Sequence, residues 1–578
     1  MMQTLAPAWN LGPATTTKWY VRLFPSLNDI AFLLPIFVLF ARMGGTQLLF
    51  SDGDTGWHIR TGEWILAHRA VPTVDLFSFT KPNNAWFAWE WGWDVLAALV
   101  HQYAGLAGIG FVTTLMLGIF TLLLYRLALR LSHNNVASFA VTALAAAVSS
   151  IHWLARPHLV SWIFVLIFLG VLETARAGAV SPTSLRFLLP ALTVLWTNLH
   201  GGFVAGLLLI ACYALGEGMT SIFKAGTAAP VSNLKAAWIA SSLYWQSLLL
   251  CAAATLVNPY GWQLHRHIYA YLSDAELLDK IQEFQSISFH AGPAIFLEIL
   301  LLISVFAVFS SLRSREFTPV ILICLWAHFA LQSARHIPLF AMVAAPFAAV
   351  VLSAALEQAR FIPALKALSE TLADICMDLR SVEFTPRLHI TSAAALLLVA
   401  GLFAAGQKPF AAQFNAENFP AQAMPVLEEH RGSRVFTTDQ WGDYLLYRLY
   451  PSQRVFFDGR SDFYGSDFVK INQRILSAEH DWKALLQQFA INLVVLRPET
   501  PLSAVLKLTP NAKVVFDDGK VIVFDTSGIN QADSSRAFTR ISRIRRSANW
   551  ASDDSQTLQS LLLRVALSIN QSTKSQKG

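Results

Sequence analysis

Over most of this chain apolar residues do not alternate with polar ones. They run on. From about residue 29 to 407 apolar stretches recur, each close to the ~20 residues a helix needs to cross ~30 Å of hydrocarbon. The pattern predicts about eleven spanning helices, near 24–43, 106–125, 136–152, 158–175, 187–199, 202–220, 237–257, 292–311, 317–334, 337–356 and 388–407. The fifth is short, and the region 94–125 has room for an additional helix at the interface. Beyond about residue 408 charge density rises and apolar runs shorten to strand length, as in a water-exposed domain. The expected organisation is a cytoplasmic N-terminus (1–23), a transmembrane domain (24–407) with a first outer loop at 51–93, an outer soluble α/β domain (408–529) and a polar, basic, partly disordered tail (530–578).

Composition sharpens this into a polytopic α-helical membrane protein. Of 578 residues 54% are hydrophobic and only 14% charged, well under the ~25% of soluble domains. No small-residue cleavage site follows the first span, which is therefore expected to stay as an anchor. Three of the four cysteines lie in apolar runs and Cys376 in a polar loop, so neither a disulfide framework nor a thiolate metal site is expected. The net charge of +6 reports topology rather than nucleic-acid binding. Placing the N-terminus in the cytoplasm puts most loop Arg and Lys inside, among them Arg126, Arg130, Arg176, Arg313 and Arg315, and an odd span count sends the C-terminal domain outside.

In that orientation every unusual polar segment falls on one outer face: SDGDTGWHIR (51–60), IHWLARPH (151–158), NLHGG (198–202), NPYGWQLHRH (258–267) and QSARHIP (332–338). Ionisable groups near membrane depth are costly unless they face one another or water, so their convergence marks the expected site. Asp52 and Asp54 open a segment with helical spacing that carries His58 and Arg60. Either carboxylate can cap the helix; either can also take a proton from a hydroxyl while the other orients it or holds a divalent cation. Tryptophans 86, 89, 91 and 93 suit a membrane interface, and Glu90 among them is a candidate polar contact. Arg156 and Arg335, each beside histidine (His336 in the second case), suit an anionic headgroup, because a planar fork grips phosphate through paired charge-assisted hydrogen bonds. Asn198 and His200 precede a Gly-Gly turn at the same face.

Past residue 408, RVFTT (434–438), RVFFDGR (454–460) and INLVVLR (491–497) read as strands. WGDYLLYRLY and DWKALLQQFA read as helices, and VVFDDGKVIVFDT as a hairpin turning at Asp518-Gly519. Asp439, Asp458, Arg460 and Asp462 fall just past strand ends, where open α/β sheets bind ligands. Without a glycine-rich phosphate fingerprint, acceptor recognition or scaffolding is the expected role. The apolar run TLQSLLLRVALSI in the tail is expected to form a surface helix.

The ordered motifs D-x-D-x-x-W-H-I-x-x-G-x-W-I-L (Asp52 to Leu66), VP-x-x-D-x-FS-x-T, ARPH and NLHGGF resemble the bacterial GT-C fold membrane glycosyltransferases, whose relatives include the protein mannosyltransferases and lipid A aminoarabinose transferases. The resemblance covers roughly residues 24 to 356. It implies inverting transfer of a sugar from a polyprenyl-phosphate donor to a lipid, glycan or protein acceptor, at the outer face of a bacterial inner membrane. The first-loop carboxylate, Asp54 or Asp52, would be the general base. Arg156, Arg335 and His200 would meet the donor phosphate; His58, Arg60, Glu90, Asn198 and His336 would meet substrate. Some relatives need a divalent cation, Mg or Mn, which Asp52 and Asp54 would hold. A transporter or lipid flippase would instead show internal repeats and broken helix pairs at the midplane, and a non-catalytic assembly subunit would tolerate loss of the acidic pair, which is intact here.

Overall fold

The computed structural model describes residues 19–225, 230–383 and 387–529; the expected tail helix lies outside them. Each of the eleven apolar stretches coincides with a helix. Among the described residues eight helices are long and apolar enough to cross a membrane, and Pro182–Leu199, Phe317–Gln332 and Ile390–Ala405 are shorter or less apolar companions. The chain is a multi-pass membrane protein. The first span, Leu27–Arg42, starts on a capping box in which the Ser26 side chain accepts from the Asp29 N–H while Asp29 accepts from Ser26.

The second span differs from its expected extent. It belongs to a helix of 42 residues, Trp91–Ser132, which at 1.5 Å per residue would be about twice the hydrocarbon thickness. Gly105 (φ 57°, ψ −156°) breaks it. The segment before the break lies against the first-loop helix Asp54–His68, and the segment after it crosses the membrane. This is the additional helix for which the 94–125 region had room. The amphipathic helix Lys366–Glu383, between the last two apolar helices, was not anticipated.

Opposite the polar face, Arg176 ties three helices together through Glu173, Glu217 (2.8 Å) and Glu316. Tyr213 adds a hydrogen bond to Glu173 at 2.6 Å.

The C-terminal part carries a four-stranded sheet: β1 (Val435–Phe436), β2 (Leu493–Leu496), β3 (Lys513–Asp517) and β4 (Ile522–Asp525), in the order β1-β2-β4-β3. β1 and β2 are parallel; β2, β4 and β3 run antiparallel. Gly519, at φ 82°, turns the hairpin. The run 454–460 does not form a ladder strand. Val455 makes single bridges to Val435 on one side and to Ser78 of the loop between the first two spans on the other, so that loop borders the sheet edge. Side chains alternate across β2 with period two: Leu493 and Val495 join the large core shared with helix Asp439–Leu449 and the membrane body, whereas Val494 and Leu496 join a second core with Phe456, Phe468 and Trp482. Both faces of β2 are covered, whereas the edge strand β3 is largely exposed.

Candidate active site

After the first span the chain turns through Thr46–Leu49 and enters helix Asp54–His68. Gly53 stands at the N-cap without a side-chain bond, and Asp52, just before it, accepts the Asp54 N–H on its Oδ1 at 2.9 Å. Its other oxygen faces Arg156 Nη1 at 3.2 Å, and Asp54 Oδ2 lies 2.5 Å from Arg156 Nη2. The ARPH turn is fastened to the loop by Ala155 N–H to the Leu49 carbonyl (2.9 Å) and the Thr55 hydroxyl to the Ala155 carbonyl (2.8 Å). A third carboxylate completes the group. Glu283, in the short turn Gln282–Phe284, places Oε1 2.5 Å from Arg156 Nη1 and Oε2 2.9 Å from Arg335 Nη2. Burial pushes the Glu283 carboxyl up, but the two arginines outweigh it and hold it well below the usual range. Nothing in KIQEFQ distinguished this residue in the sequence.

A fourth carboxylate arrives from the C-terminal part. Helix Asp439–Leu449 lies so close to the first-loop helix that a Cβ on Gly56 would sit 2.8 Å from the Asp443 carbonyl oxygen. Gly459 donates its N–H to Asp443 Oδ1 at 2.9 Å. A Cβ on Gly459 would fall 2.5 Å from Asp54 Oδ1 and 2.6 Å from Asp443 Oδ2, so the glycine makes room for two converging carboxylates. Asp443 Oδ2 is buried with no donor facing it, and two acceptors can bond only if one carries a proton. Burial raises both groups well above the ordinary carboxylate range. At Asp54, Arg156 works against that rise while Asp52 and Glu283 add to it. Burial and the closeness of the two carboxyls thus both favour keeping a proton on the pair.

A second polar chain runs along the membrane side. His58 Nδ1 is 2.6 Å from Asp94 Oδ1, and its Nε2 is 3.5 Å from Glu90 Oε2. Glu90 Oε1 continues to His200 Nε2 at 3.3 Å, and His200 Nδ1 to the Ser161 hydroxyl at 2.6 Å. Burial lifts Glu90 to about 7, drops His200 to about 3 and holds His58 well below its ordinary value.

Apart from the wholly buried Asp94 and Asp443, these groups line one cavity of about 1310 Å³ between the membrane helices and the C-terminal part. Asp52, Asp54, His58, Glu90, Arg156, His200, Arg335 and His336 all face it. Trp162, Leu208, Trp326, Phe329 and Leu339 form an apolar wall, and Asp439, Asp458 and Asp462 lie on the far side.

Two expected site residues stand elsewhere. Arg60 turns its guanidinium to the Tyr447 carbonyl (2.9 Å from Nε) and to Glu63 (2.6 Å), fastening the two helices. Asn198 donates to the Val194 and Val257 carbonyls and accepts from Trp91 Nε1, each at 2.8 Å, as a brace. Arg156, expected at a donor phosphate, has its charge compensated by three carboxylates. One oxygen of each of Asp52 and Asp54 is taken up by the Arg156 guanidinium, with which a divalent cation at these two carboxylates would compete. Among the described residues no group of three or more His, Cys, Asp and Glu is placed for a metal. Arg460 is wholly buried, 2.8 Å from Asp75 and 2.7 Å from Asp458, and joins the first outer loop to the C-terminal part.

The architecture is that of a GT-C fold membrane protein. The oligosaccharyltransferase of the archaeon Archaeoglobus fulgidus, solved tethered to an acceptor peptide containing the NVT sequon, superposes with a TM-score of 0.50 at 13% identity, over 81% of this chain and 68% of that one. The same organism's AglB with an inhibitory peptide and a dolichol-phosphate gives 0.50 at 12% identity, over 82% and 69%. ArnT of Cupriavidus metallidurans, in its apo state, is 14% identical over 86% of this chain and 98% of that one, with a TM-score of 0.44. No family model and no curated protein sequence matches the chain.

Proposed function

We propose that the protein is a membrane glycosyltransferase that moves a sugar from a polyprenyl-phosphate donor to an acceptor hydroxyl or amide of the cell envelope. The observation that carries this reading is the cavity itself: an apolar wall of membrane helices leads into a pocket of arginine, histidine and carboxylate. An amphipathic donor, with a hydrocarbon tail, a phosphate and a sugar, matches that sequence of surfaces. The solved relative that holds a dolichol-phosphate shares the fold, and the acceptor peptide of the other is consistent with a polar acceptor entering from outside.

Arg335 is the better phosphate ligand of the two arginines. Its only ion-pair partner among the described residues is Glu283, and its side chain is 38% exposed. The neighbouring His336 Nδ1 is buried without a partner and lines the same cavity. In the reaction the acceptor oxygen, or the nitrogen of an amide, forms a bond to the anomeric carbon as the bond from that carbon to the phosphate oxygen breaks. The electron pair leaves with the phosphate, where Arg335 meets the growing charge. The acceptor proton goes to Asp54, the ionised member of the Asp54–Asp443 pair when the site is active. Asp52 and Arg156 hold Asp54 in place. Attack opposite the leaving group inverts the anomeric centre. The active face is the periplasmic side of a bacterial inner membrane.

The test is transfer by the purified protein from a panel of radiolabelled polyprenyl-phosphate sugars to a membrane extract. Asp54→Asn is expected to cut the rate by about 10²–10⁴ with folding and donor binding intact. Full activity in both Asp54→Asn and Asp52→Asn would refute the base assignment, and the absence of donor binding would favour a flippase or scaffold.

A further inference from the structure

Three carboxylates from two separated segments, Asp52 and Asp54 of the loop after the first span and Glu283 of a later turn, converge on a single guanidinium. Arg156 Nη1 lies 3.2 Å from Asp52 Oδ2 and 2.5 Å from Glu283 Oε1, and Nη2 lies 2.5 Å from Asp54 Oδ2. All four side chains are mostly withdrawn from solvent, none more than 22% exposed. Such a gathering of negative charge needs a compensating cation at its centre. In many phosphate-handling sites that cation is divalent, held by carboxylate oxygens at roughly 2.0–2.6 Å. Here the centre is filled by an arginine.

We infer that Arg156 is a built-in cation that takes the place of a divalent metal in this acidic cluster, so that the protein works without one. Two features support the substitution. The guanidinium is anchored from the ARPH turn, whose Ala155 backbone is bonded to both Leu49 and the Thr55 hydroxyl, so it is not a side chain that swings aside. Glu283 also joins Arg156 to Arg335, which gives a continuous chain of alternating charge from the first-loop carboxylates to the proposed phosphate position. A fixed guanidinium keeps its charge at every physiological pH and cannot be lost to a chelator. It leaves no position for an ion that must ligate the same three oxygens. The catalytic consequence rests on the transferase reading, but the binding test needs no sugar.

Purified protein stripped with EDTA is titrated with Mn²⁺ and free ion is followed by its electron paramagnetic resonance signal. Wild type is expected to leave the signal unattenuated. Arg156→Ala, which empties the centre, is expected to bind about one equivalent through hard oxygen ligands, and adding Glu283→Gln should weaken that binding at least about tenfold. Arg156→Lys, which keeps a cation in place, should bind none. Stoichiometric Mn²⁺ binding by wild type that is lost in Asp54→Asn would overturn the inference. So would a monodisperse, folded Arg156→Ala protein that binds no Mn²⁺. If that variant does not fold, the wild-type titration together with transfer measured in EDTA decides: inhibition reversed by Mn²⁺ or Mg²⁺ overturns the inference, and unchanged transfer upholds it. Absence of all transfer, with the Mn²⁺ pattern as expected, would refute the enzymatic reading and leave the cation assignment standing.

Discussion

Glu90 is the residue whose titration makes the sharpest prediction. Buried between His58 and His200, with Arg156 and Arg335 drawing it partway back, it sits at about 7 rather than 4.5. A carboxyl raised in the folded state adds stability at low pH that is lost as pH climbs from about 4.5 to about 7, on the order of 3 kcal/mol at full extent. His200, held at about 3, runs the other way, adding stability that is lost as pH falls below its ordinary value. Glu90→Gln removes the first contribution only. Its thermal midpoint in detergent should therefore rise relative to wild type as the pH moves from 5 to 8, measured on the same preparation; a gap that does not change with pH would contradict the burial account. Asp443 offers a kinetic counterpart. Asp443→Ala removes the group that hydrogen-bonds the Asp54 carboxylate and draws its pKa down, so Asp54 should ionise at higher pH and the acidic limb of the pH–rate profile should move up. A purely structural role for Asp443 would lower the rate equally at every pH.

At the scale of elements, the join between the first outer loop and the C-terminal part is the joint most worth breaking. Asp75 and Arg460 lie 385 residues apart in sequence and meet where neither is exposed, with the Arg460 guanidinium 4.6 Å from the Trp86 ring centroid and 4.8 Å from Phe77. Removing Asp75 leaves Arg460 paired with Asp458 but takes away one buried charged hydrogen-bond partner, at a cost of about 1–3 kcal/mol. Asp75→Ala should accordingly lower the thermal midpoint and expose the segment near residue 410 to protease, whereas replacing the more exposed Lys520, paired with Glu417, should do neither. Gly56→Leu tests the helix contact in another way: a side chain there meets the Asp443 carbonyl, and the two helices must separate.

This same joint shows what the sequence disclosed and what it withheld. The spanning helices were legible because hydrocarbon thickness fixes the length of an apolar run, and all eleven stretches are helical. Asp52, Asp54, His58, Glu90, Arg156, His200, Arg335 and His336 could be gathered on one face because each stands at the outer end of such a run. Glu283 and Asp443 were not legible: one lies in a featureless polar turn, the other inside a segment whose periodicity reports only a helix. The surroundings of Asp443 are set by how the C-terminal part docks, and those of Glu283 by how its turn packs on the turns that carry Arg156 and Arg335; no local pattern encodes either. Arg60 and Asn198 misled for the converse reason. They sit in the right motifs, but helical geometry turns the first toward Tyr447 and the second toward neighbouring carbonyls. The run 454–460 has the composition of a strand, yet its neighbours allow only single bridges.

At the scale of the molecule, the membrane helices supply an apolar wall, the connecting loops supply arginines and carboxylates, and the C-terminal part contributes Asp439, Asp458 and Gly459 to the same cavity. The site is thus shared between two parts of the chain, and separating them should abolish function even when each remains folded. The most direct test of this account is a structure of the full-length protein with a polyprenyl phosphate bound. The phosphate is predicted within hydrogen-bonding distance of Arg335 and His336, with the tail against Trp326 and Phe329 and Asp54 facing the side where a sugar would sit. A lipid phosphate seated elsewhere, or one that displaces Arg156 from its three carboxylates, would contradict it.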